Sequence, residues 1–357
     1  MRVLVVGARG IPNVEGGAEK NAEKIFPRMV AMGAEVDLLC LTGATDRDEY
    51  RGVKLPRVPN IKLLGTDKLA YYFYAPFYAL KFRPDVVHFQ GLGSAIFLWL
   101  YRLSGVTTVV RYGSADYMLE KWGFLGRLGF RWAEWQLRLA HRVVAVTPAL
   151  KERLADKGIE RNVVVIPNAL DDAERPADTA NLDRLDLHGK KFVLSVGRVT
   201  AQKNFILLVE AFKLAKSQGA VLDKLVIVGG LDETAYVDAL KPHLTGDVIL
   251  TGRLPRNSFL DLLTHCTVFV NSSVHEGHSN AVMEAISYEL PLIVSDIPEN
   301  RDLPLEPAQF FRSGDTADLA QRLGMAAADP NSLKSHRSAF LDWDQVATQT
   351  YRLYTER

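Results

Sequence analysis

The sequence has little of what marks a secreted, membrane-spanning or metal-caged chain. Its two cysteines among 357 residues, Cys40 and Cys266, fall in separate apolar runs, which leaves no disulfide framework and no Cys/His spacing for a zinc site. The longest apolar stretches, Tyr71 to Leu80 and Ala95 to Tyr101, fall well short of the roughly 18 residues that cross a bilayer. The N-terminus runs from Met1 straight into a buried-strand pattern, without the basic segment, apolar core and small-residue cleavage site of a signal peptide. These absences predict a cytoplasmic protein, neither exported nor integral to a membrane. Net charge is almost absent too. The 43 Lys and Arg face 42 Asp and Glu, a balance of +1, which argues against a binder driven by neutralising nucleic-acid phosphates.

What is present is ordinary globular material, 48% hydrophobic and 24% charged, in about twice the length of a typical domain. The charge balance conceals a segregation. From Met1 to Val165 there are 24 basic against 16 acidic residues, a surplus of 8, while the remainder holds 19 against 26, a deficit of 7. Such a surplus predicts an anionic ligand or surface for the first half. Short all-apolar runs recur between helical patterns: Val3 to Val6, Val36 to Leu41, Val86 to Phe89, Thr108 to Val110, Val143 to Val146 and Val163 to Ile166. Bounded by Gly, Pro or Asp, they read as strands buried on both faces of a parallel sheet. After a polar stretch from Asp171 to Lys190 the rhythm restarts at Phe192 to Val196, Leu225 to Val228, Val248 to Leu250, Val268 to Val270 and Leu292 to Val294. The expectation is an α/β chain of two doubly wound, Rossmann-like domains, residues 1–168 and 185–340, facing across a cleft at the carboxyl ends of their strands. A last helical pattern within residues 341–357 follows the final strand and can cross back to the first domain.

The segment His275 to Glu289, HEGHSNAVMEAISYE, carries the densest chemistry. Glu276 and Glu284 are separated by seven residues, Gly277 follows the first, and a helix begins near Ser279 or Asn280. A helix N-terminus behind a glycine presents free N–H groups and the positive end of the dipole, a seat for phosphate. Glu284, one turn in, repels phosphate but can accept two hydrogen bonds from a ribose diol. Glu276 then faces whatever lies beyond the diphosphate. A loop glutamate and a solvated helix glutamate fit the same spacing. A second element at the first strand of this domain favours ligand binding: Arg198, after Val196-Gly197, and Lys203, opening the next helix, put two cations where a diphosphate needs them.

In order, SVGRVTAQKN (Ser195 to Asn204), TGRLP (Thr251 to Pro255) and EGHSNAVMEAISYELPLIVSD (Glu276 to Asp296) resemble the retaining nucleotide-sugar glycosyltransferases of family 4, which have the GT-B architecture. GGAE at Gly16 to Glu19, PDVVHFQG at Pro84 to Gly91 and VIPNAL at Val165 to Leu170 extend the resemblance over nearly the whole chain. It implies transfer of a hexose from a UDP- or GDP-sugar with retention of configuration and no required metal or other cofactor. Carried over, Arg198 and Lys203 match the diphosphate-binding pair, Glu284 the ribose ligand and Glu276 the donor-sugar ligand. Gly277 and His278 belong to the same donor loop, Ser279 and Asn280 match backbone donors, and Arg253 and Leu254 match the segment near the base. Gly16 and Gly17 match a glycine loop whose amides approach the phosphate and donor sugar. The family usually carries a His where the fourth strand ends. Here Val110-Arg111-Tyr112-Gly113-Ser114-Ala115-Asp116 puts Tyr112 in its place, lining the cleft near the donor. A phenol there can donate a hydrogen bond but cannot titrate near neutral pH.

His275 and His278 flank Glu276 at HxxH spacing, not the HExxH that aligns two imidazoles on one helix face, so no metal site is expected. Asp46-Arg47-Asp48 reads as a solvated turn, and His88 as satisfied by local hydrogen bonds. The basic surplus has a candidate purpose. Leu128, Trp132, Trp135 and Leu139 fall at helical spacing from Leu125, with Arg127, Arg131, Arg138 and Arg142 opposite; Lys121-Trp122 and the run Tyr71 to Tyr74 with Phe77, Tyr78, Lys81 and Arg83 add to them. This mixture suits the headgroup region of an anionic membrane, and equally tryptophans packed on a sheet beneath solvated arginines. The reading is a retaining hexosyltransferase that extends a bacterial surface glycan on a glycan or polyprenyl-linked acceptor, cytoplasmic or peripheral on the inner membrane face. A nucleotide-sugar epimerase or hydrolase of the same fold and a non-catalytic sugar-nucleotide binder are the alternatives.

Overall fold

The computed structural model describes residues 1–14, 16–61, 68–114, 123–173, 179–231 and 233–355. Ala115, Asp116, Lys121 and Trp122, invoked above, lie outside them. The chain divides into two compact units, one of Met1–Ala169 with Leu341–Arg357, the other Leu170–Phe340.

Unit 1 is built on an eight-stranded sheet of β1 (Arg2–Val6), β2 (Glu35–Leu38), β3 (Glu49–Tyr50), β4 (Val53–Lys54), β5 (Val86–Gln90), β6 (Thr107–Tyr112), β7 (Arg142–Ala145) and β8 (Val163–Val165). The spatial order is β8-β7-β6-β5-β1-β2-β4-β3, parallel throughout except for the antiparallel edge pair β3 and β4. The unbroken apolar runs follow from burial on both faces. Val3 and Val5 enter one core with Phe26 and Met29, while Leu4 and Val6 enter the other with Tyr71 and Phe89. Each such side chain, taken fully out of water, stabilises by about 1.5–3 kcal/mol. Helix α1 (Gly17–Ala31) supplies Phe26 and Met29; α2 (Lys68–Phe82), α3 (Leu98–Leu103) and α4 (Phe124–Gln136) follow the sheet's other core.

The C-terminal helix, Trp343–Thr355, belongs to unit 1 and packs beside α1, with Trp343, Val346, Ala347 and Leu353 in the core that holds Phe26. Arg28 Nε donates to Asp344 Oδ1 at 2.6 Å on the outside. Inside, the Tyr354 hydroxyl lies 2.7 Å from His88 Nδ1, and His88 Nε2 lies 3.0 Å from Gln90 Oε1. The tautomer can be deduced. Gln90 Nε2 already donates to Ala18 O and to Asn21 Oδ1, so Oε1 must accept, His88 carries its proton on Nε2, and Nδ1 accepts from Tyr354. Burial, aided by the charge of Arg111, pushes the imidazole down to about 3, so His88 is a neutral structural link.

Unit 2 has six parallel strands, β9 (Phe192–Val196), β10 (Lys224–Val228), β11 (Val248–Gly252), β12 (Val268–Asn271), β13 (Leu292–Ser295) and β14 (Phe310–Phe311), in the order β11-β10-β9-β12-β13-β14. The order reverses between β9 and β12. Such a reversal opens a crevice at the strands' carboxyl ends, where ligands of doubly wound sheets bind. The helices that matter to that crevice are α5 (Phe205–Ser217), α6 (Arg256–His265), α7 (Asn280–Ser287) and the short α8 (Pro298–Arg301).

Candidate functional site

At the carboxyl end of β9 the chain passes through Gly197 and Arg198 into a single 3₁₀ turn, Ala201–Lys203, before α5 begins. The helix expected to open at Lys203 therefore starts two residues later, after Asn204 in the left-handed region. Lys203 folds back across the strand end: a Cβ on Gly197 would stand 2.7 Å from Lys203 Cε. That path carries the ammonium to the neighbouring loop, where Nζ donates to Glu276 Oε1 at 2.5 Å. Ser273 Oγ donates to the same oxygen at 2.6 Å and Asn271 Nδ2 at 3.3 Å. Burial alone would raise this carboxyl, but the Lys203 charge and these three hydrogen bonds hold it below its ordinary value, so Glu276 stays ionised.

The support continues one layer down. Asn300 Nδ2 donates to Ser295 O at 3.0 Å and approaches Asn271 Oδ1 at 3.5 Å, which turns the Asn271 amide so that its N–H faces Glu276. Ser295 Oγ donates to Ser273 O, and Ser272 Oγ to Lys203 O at 2.7 Å, so the loops after β9 and β12 are laced together. Among the described residues these bonds to Glu276 converge on Oε1 and leave Oε2 outside them. Asn271, Ser273 and Asn300 were not singled out from sequence. Their side chains are short amides and hydroxyls, common in loops, and only the fold reveals that they aim at one oxygen.

Helix α7 is preceded by Ser279 at its N-cap, whose side chain makes no capping bond. Gly277 and Ser279 are buried; His278 and Asn280 are half-buried in the same turn. Glu284 is buried and already engaged, because Arg256 at the start of α6 donates from Nη1 to its Oε1. The Arg256 guanidinium also lies over the Phe259 ring, 5.6 Å from its centroid. Arg256 too was missed in sequence, although it stands directly after the TGRLP segment. Arg198 and Arg253 are exposed, and Leu254 packs half-buried on the apolar core beside β10 and β12.

In unit 1, Gly16 caps α1 with φ 140°, and Gly17 is the helix's first residue. A Cβ at Gly16 would stand 2.1 Å from Glu19 Oε2, because Glu19 curls beneath the loop to accept from Arg9 Nε at 3.0 Å and Arg9 N at 3.1 Å. The glycine is required by that carboxylate. Tyr112 needs correcting. It does not present its phenol to a ligand: it is fully buried in the unit 1 core, and its hydroxyl donates to Glu134 Oε1 at 2.7 Å, while Lys157 Nζ lies 2.5 Å from Oε2. The family's histidine position is filled here by a structural strut, since a phenol reaches further than an imidazole and finds the carboxylate on α4.

That strut belongs to a helix turned inside out. On α4 the buried residues are Ala133, Glu134 and Gln136, with Gln136 bonded to Trp99 N and Ile96 O, whereas Phe124, Leu125, Leu128, Trp132 and Trp135 are exposed. The two tryptophan rings stack on each other, 5.3 Å apart, instead of packing on the sheet. Arg127 and Arg131 are exposed on the same helix, but the helix ends at Gln136, so Arg138 lies in a 3₁₀ turn and Arg142 on β7. Phe73, Phe77 and Leu80 of α2 and Trp99 and Leu103 of α3 are exposed as well. No helix among the described residues is long and apolar enough to cross a membrane, and no group of three or more His, Cys, Asp or Glu among them is placed to hold a metal ion.

Comparison with known proteins gives this geometry a lineage. Residues 15–174 match the model of Glycosyltransferase Family 4, and residues 190–329 that of Glycosyl transferases group 1. The chain is 28% identical over 322 residues to the GDP-mannose-dependent alpha-mannosyltransferase of Mycobacterium tuberculosis, covering 85% of this chain and 81% of that one. It is 29% identical to the UDP-Gal:alpha-D-GlcNAc-diphosphoundecaprenol alpha-1,3-galactosyltransferase of Escherichia coli, over 75% and 73% of the two chains. Among solved structures, Anabaena HepE in complex with UDP superposes with a TM-score of 0.75 at 18% identity, covering 99% of this chain and all of that one, which speaks to the fold alone. Two Rossmann-like units, one matching each half of a glycosyltransferase, make the conclusion plain: this chain belongs to the family 4 glycosyltransferases of GT-B type.

Proposed function

We propose that this enzyme moves a hexosyl group from a nucleoside-diphosphate sugar, UDP- or GDP-linked, to a hydroxyl of a glycan or lipid-linked acceptor, with retention of configuration. The observation that carries the reading is the Lys203–Glu276 pair beside the start of α7: a cation, an ionised carboxylate and the positive end of a helix dipole gathered at the crevice of unit 2. Lys203 and Arg198 neutralise the donor diphosphate, with the amides of Gly277, His278, Ser279 and Asn280 completing its seat. Glu276 offers Oε2 to hydroxyls of the donor sugar, Glu284 binds the ribose, and Arg253 and Leu254 lie along the base. The glycine loop at Gly16 and Gly17 belongs to the same donor reading.

In the reaction the bond from the anomeric carbon to the diphosphate oxygen breaks, and a bond from the same face to the acceptor oxygen forms. The acceptor's proton passes to the departing phosphate. The enzyme's contribution is fixed positive charge, already oriented, where negative charge builds on the leaving group, so no metal is needed in this scheme. Each of Lys203→Ala and Arg198→Ala is expected to lower kcat/KM by roughly a hundredfold or more. The test is a thermal-shift and turnover screen of UDP-, GDP- and ADP-sugars with and without acceptor. Donor that stabilises the fold and is consumed only with acceptor supports transfer; consumption without acceptor points to an epimerase or hydrolase, and a screen with no shift removes the donor site.

The outward-facing apolar residues of α4, flanked by Arg127 and Arg131, support peripheral attachment to an anionic membrane, where each cation near the surface adds about 1 kcal/mol. Co-sedimentation with phosphatidylglycerol vesicles, weakened by salt and by Trp132→Ser with Trp135→Ser, is the expected result. Equal sedimentation of the wild type and the double variant would refute it.

A further inference from the structure

The start of α1 has no side chain of its own to cap it, because the N-cap residue is Gly16. The amide of Gln90, the last residue of β5, reaches that turn from the sheet. Gln90 Nε2 donates to Ala18 O at 3.1 Å and to Asn21 Oδ1 at 2.6 Å, while Oε1 accepts from His88 Nε2 at 3.0 Å. Gln90, His88 and Asn21 are all buried. Ala18 follows Gly16 and Gly17 directly, and Lys20 N closes the same turn on Gly16 O at 2.9 Å.

We propose that Gln90 is a positioning residue for the Gly16–Gly17 loop: its amide, oriented by His88, clamps the first turn of α1 to β5 and so fixes where the loop's N–H groups point. This rests on the glycine loop belonging to the donor site, as proposed above. The amide has one workable orientation. Turned over, it would set Oε1 against the Ala18 carbonyl and Nε2 against the N–H of His88, acceptor to acceptor and donor to donor in a buried place. The His88 ring is held in turn by the Tyr354 hydroxyl, 2.7 Å from Nδ1. A glycine pair lets the backbone come close to a phosphate but brings little rigidity, so a clamp from outside supplies the order that the pair lacks. Within PDVVHFQG the His and the Gln thus act as one unit, the ring orienting the amide and the amide holding the turn.

The experiment measures amide hydrogen exchange along α1 and titration calorimetry with UDP and with GDP, on the full chain. Gln90→Met keeps the length of the side chain and removes both amide functions. It is expected to speed exchange at Lys20 to Ala22 while Phe26 and Met29 stay protected, and to weaken whichever nucleotide binds the wild type by roughly tenfold, about the worth of one hydrogen bond to a charged group. Gln90→Glu still accepts from His88 but puts a second oxygen against Ala18 O; it is expected to weaken binding in the same way, and it carries the test should Gln90→Met not fold. Val346→Ala loosens the packing of the helix Trp343–Thr355 without touching the amide, and is expected to lower stability while leaving affinity within about twofold. Affinity within about twofold of wild type in the Gln90 variants, or an equal loss in Val346→Ala, overturns the inference while the nucleotide site stands. Affinity lost with exchange unchanged overturns it as well, since Gln90 would then act otherwise than by holding the turn. Wild type that binds neither UDP nor GDP removes the donor reading, and the inference with it.

Discussion

The ammonium of Lys203 sits 2.5 Å from Glu276 Oε1, and its alkyl chain gets there by lying against the bare Cα of Gly197. Neither residue of the pair is held by its own loop alone. The carboxylate is fixed by Asn271 and Ser273 at the end of one strand, and the cation crosses from the end of its neighbour. The ion pair is therefore a measure of how well the two loops keep register.

Gly197→Ala tests that path directly. The added methyl would overlap Lys203 Cε at 2.7 Å and push the ammonium aside. A displacement of about 1 Å in a catalytic group can cost of order a hundredfold in rate, so kcat/KM is expected to fall by that scale while far-UV circular dichroism is preserved. Activity within twofold of wild type would show that the Lys203 position does not matter.

Removing one partner of the pair leaves the other charge stranded. Lys203→Ala is expected to destabilise by about 3–5 kcal/mol in urea unfolding, more than Glu276→Gln, and the double variant is expected to recover part of the loss. Because the Glu276 carboxyl lies below 4.5 in the native state, its share of stability is present above that pH and is lost as the pH falls further. Unfolding midpoints below pH 4.5 should therefore fall more steeply in the wild type than in Glu276→Gln.

His88 supplies a second pH dependence, at a different place on the scale. The native imidazole stays neutral down to about 3, whereas in the unfolded chain it protonates near 6.5. The unfolded state thus binds more protons below pH 6.5. Stability is full above that value and declines as the pH drops toward 3, by about 2 kcal/mol at pH 5. Denaturant midpoints at pH 7 and pH 5 should converge in His88→Gln relative to wild type; parallel changes in the two proteins would mean that His88 titrates normally.

Tyr112→Phe separates the strut from a catalytic group. Loss of a buried hydrogen bond to the Glu134 carboxylate is expected to cost about 1.5–3 kcal/mol of stability. The kcat should remain within a few-fold of wild type at a temperature where the variant is folded. A hundredfold fall in kcat with an unchanged unfolding midpoint would restore Tyr112 to the chemistry.

Parallel strands buried on both faces announce themselves as unbroken apolar runs, which is why Val3 to Val6 or Phe192 to Val196 could be read without coordinates. Glu276 and Lys203 could be singled out as charged residues at strand ends beside a helix start, but that they pair with each other was not legible. Arg256, Asn271 and Asn300 were not legible, because their meaning depends on which side chain from another element they meet. On α4 the helical period held from Leu125 to Gln136 but not to Leu139 and Arg142, and of the two facings left open the apolar side turns outward. Periodicity identifies two faces of a helix but not which one turns inward, and here Glu134 and Gln136 find partners inside that bind α4 through its polar side.

Unit 1 closes its core with residues from both extremes of the chain, Phe26 and Met29 near one end and Val346, Ala347 and Leu353 near the other, while unit 2 is one uninterrupted stretch. During synthesis unit 2 can therefore finish folding before unit 1, whose α1 waits with an apolar face uncovered until the helix Trp343–Thr355 has emerged. A ribosome stalled or a message truncated after residue 340 would release a folded second half attached to an incomplete first half. The core of unit 1 thus depends on a helix that lies beyond unit 2 in sequence, tied to β5 where the Tyr354 hydroxyl meets the neutral His88.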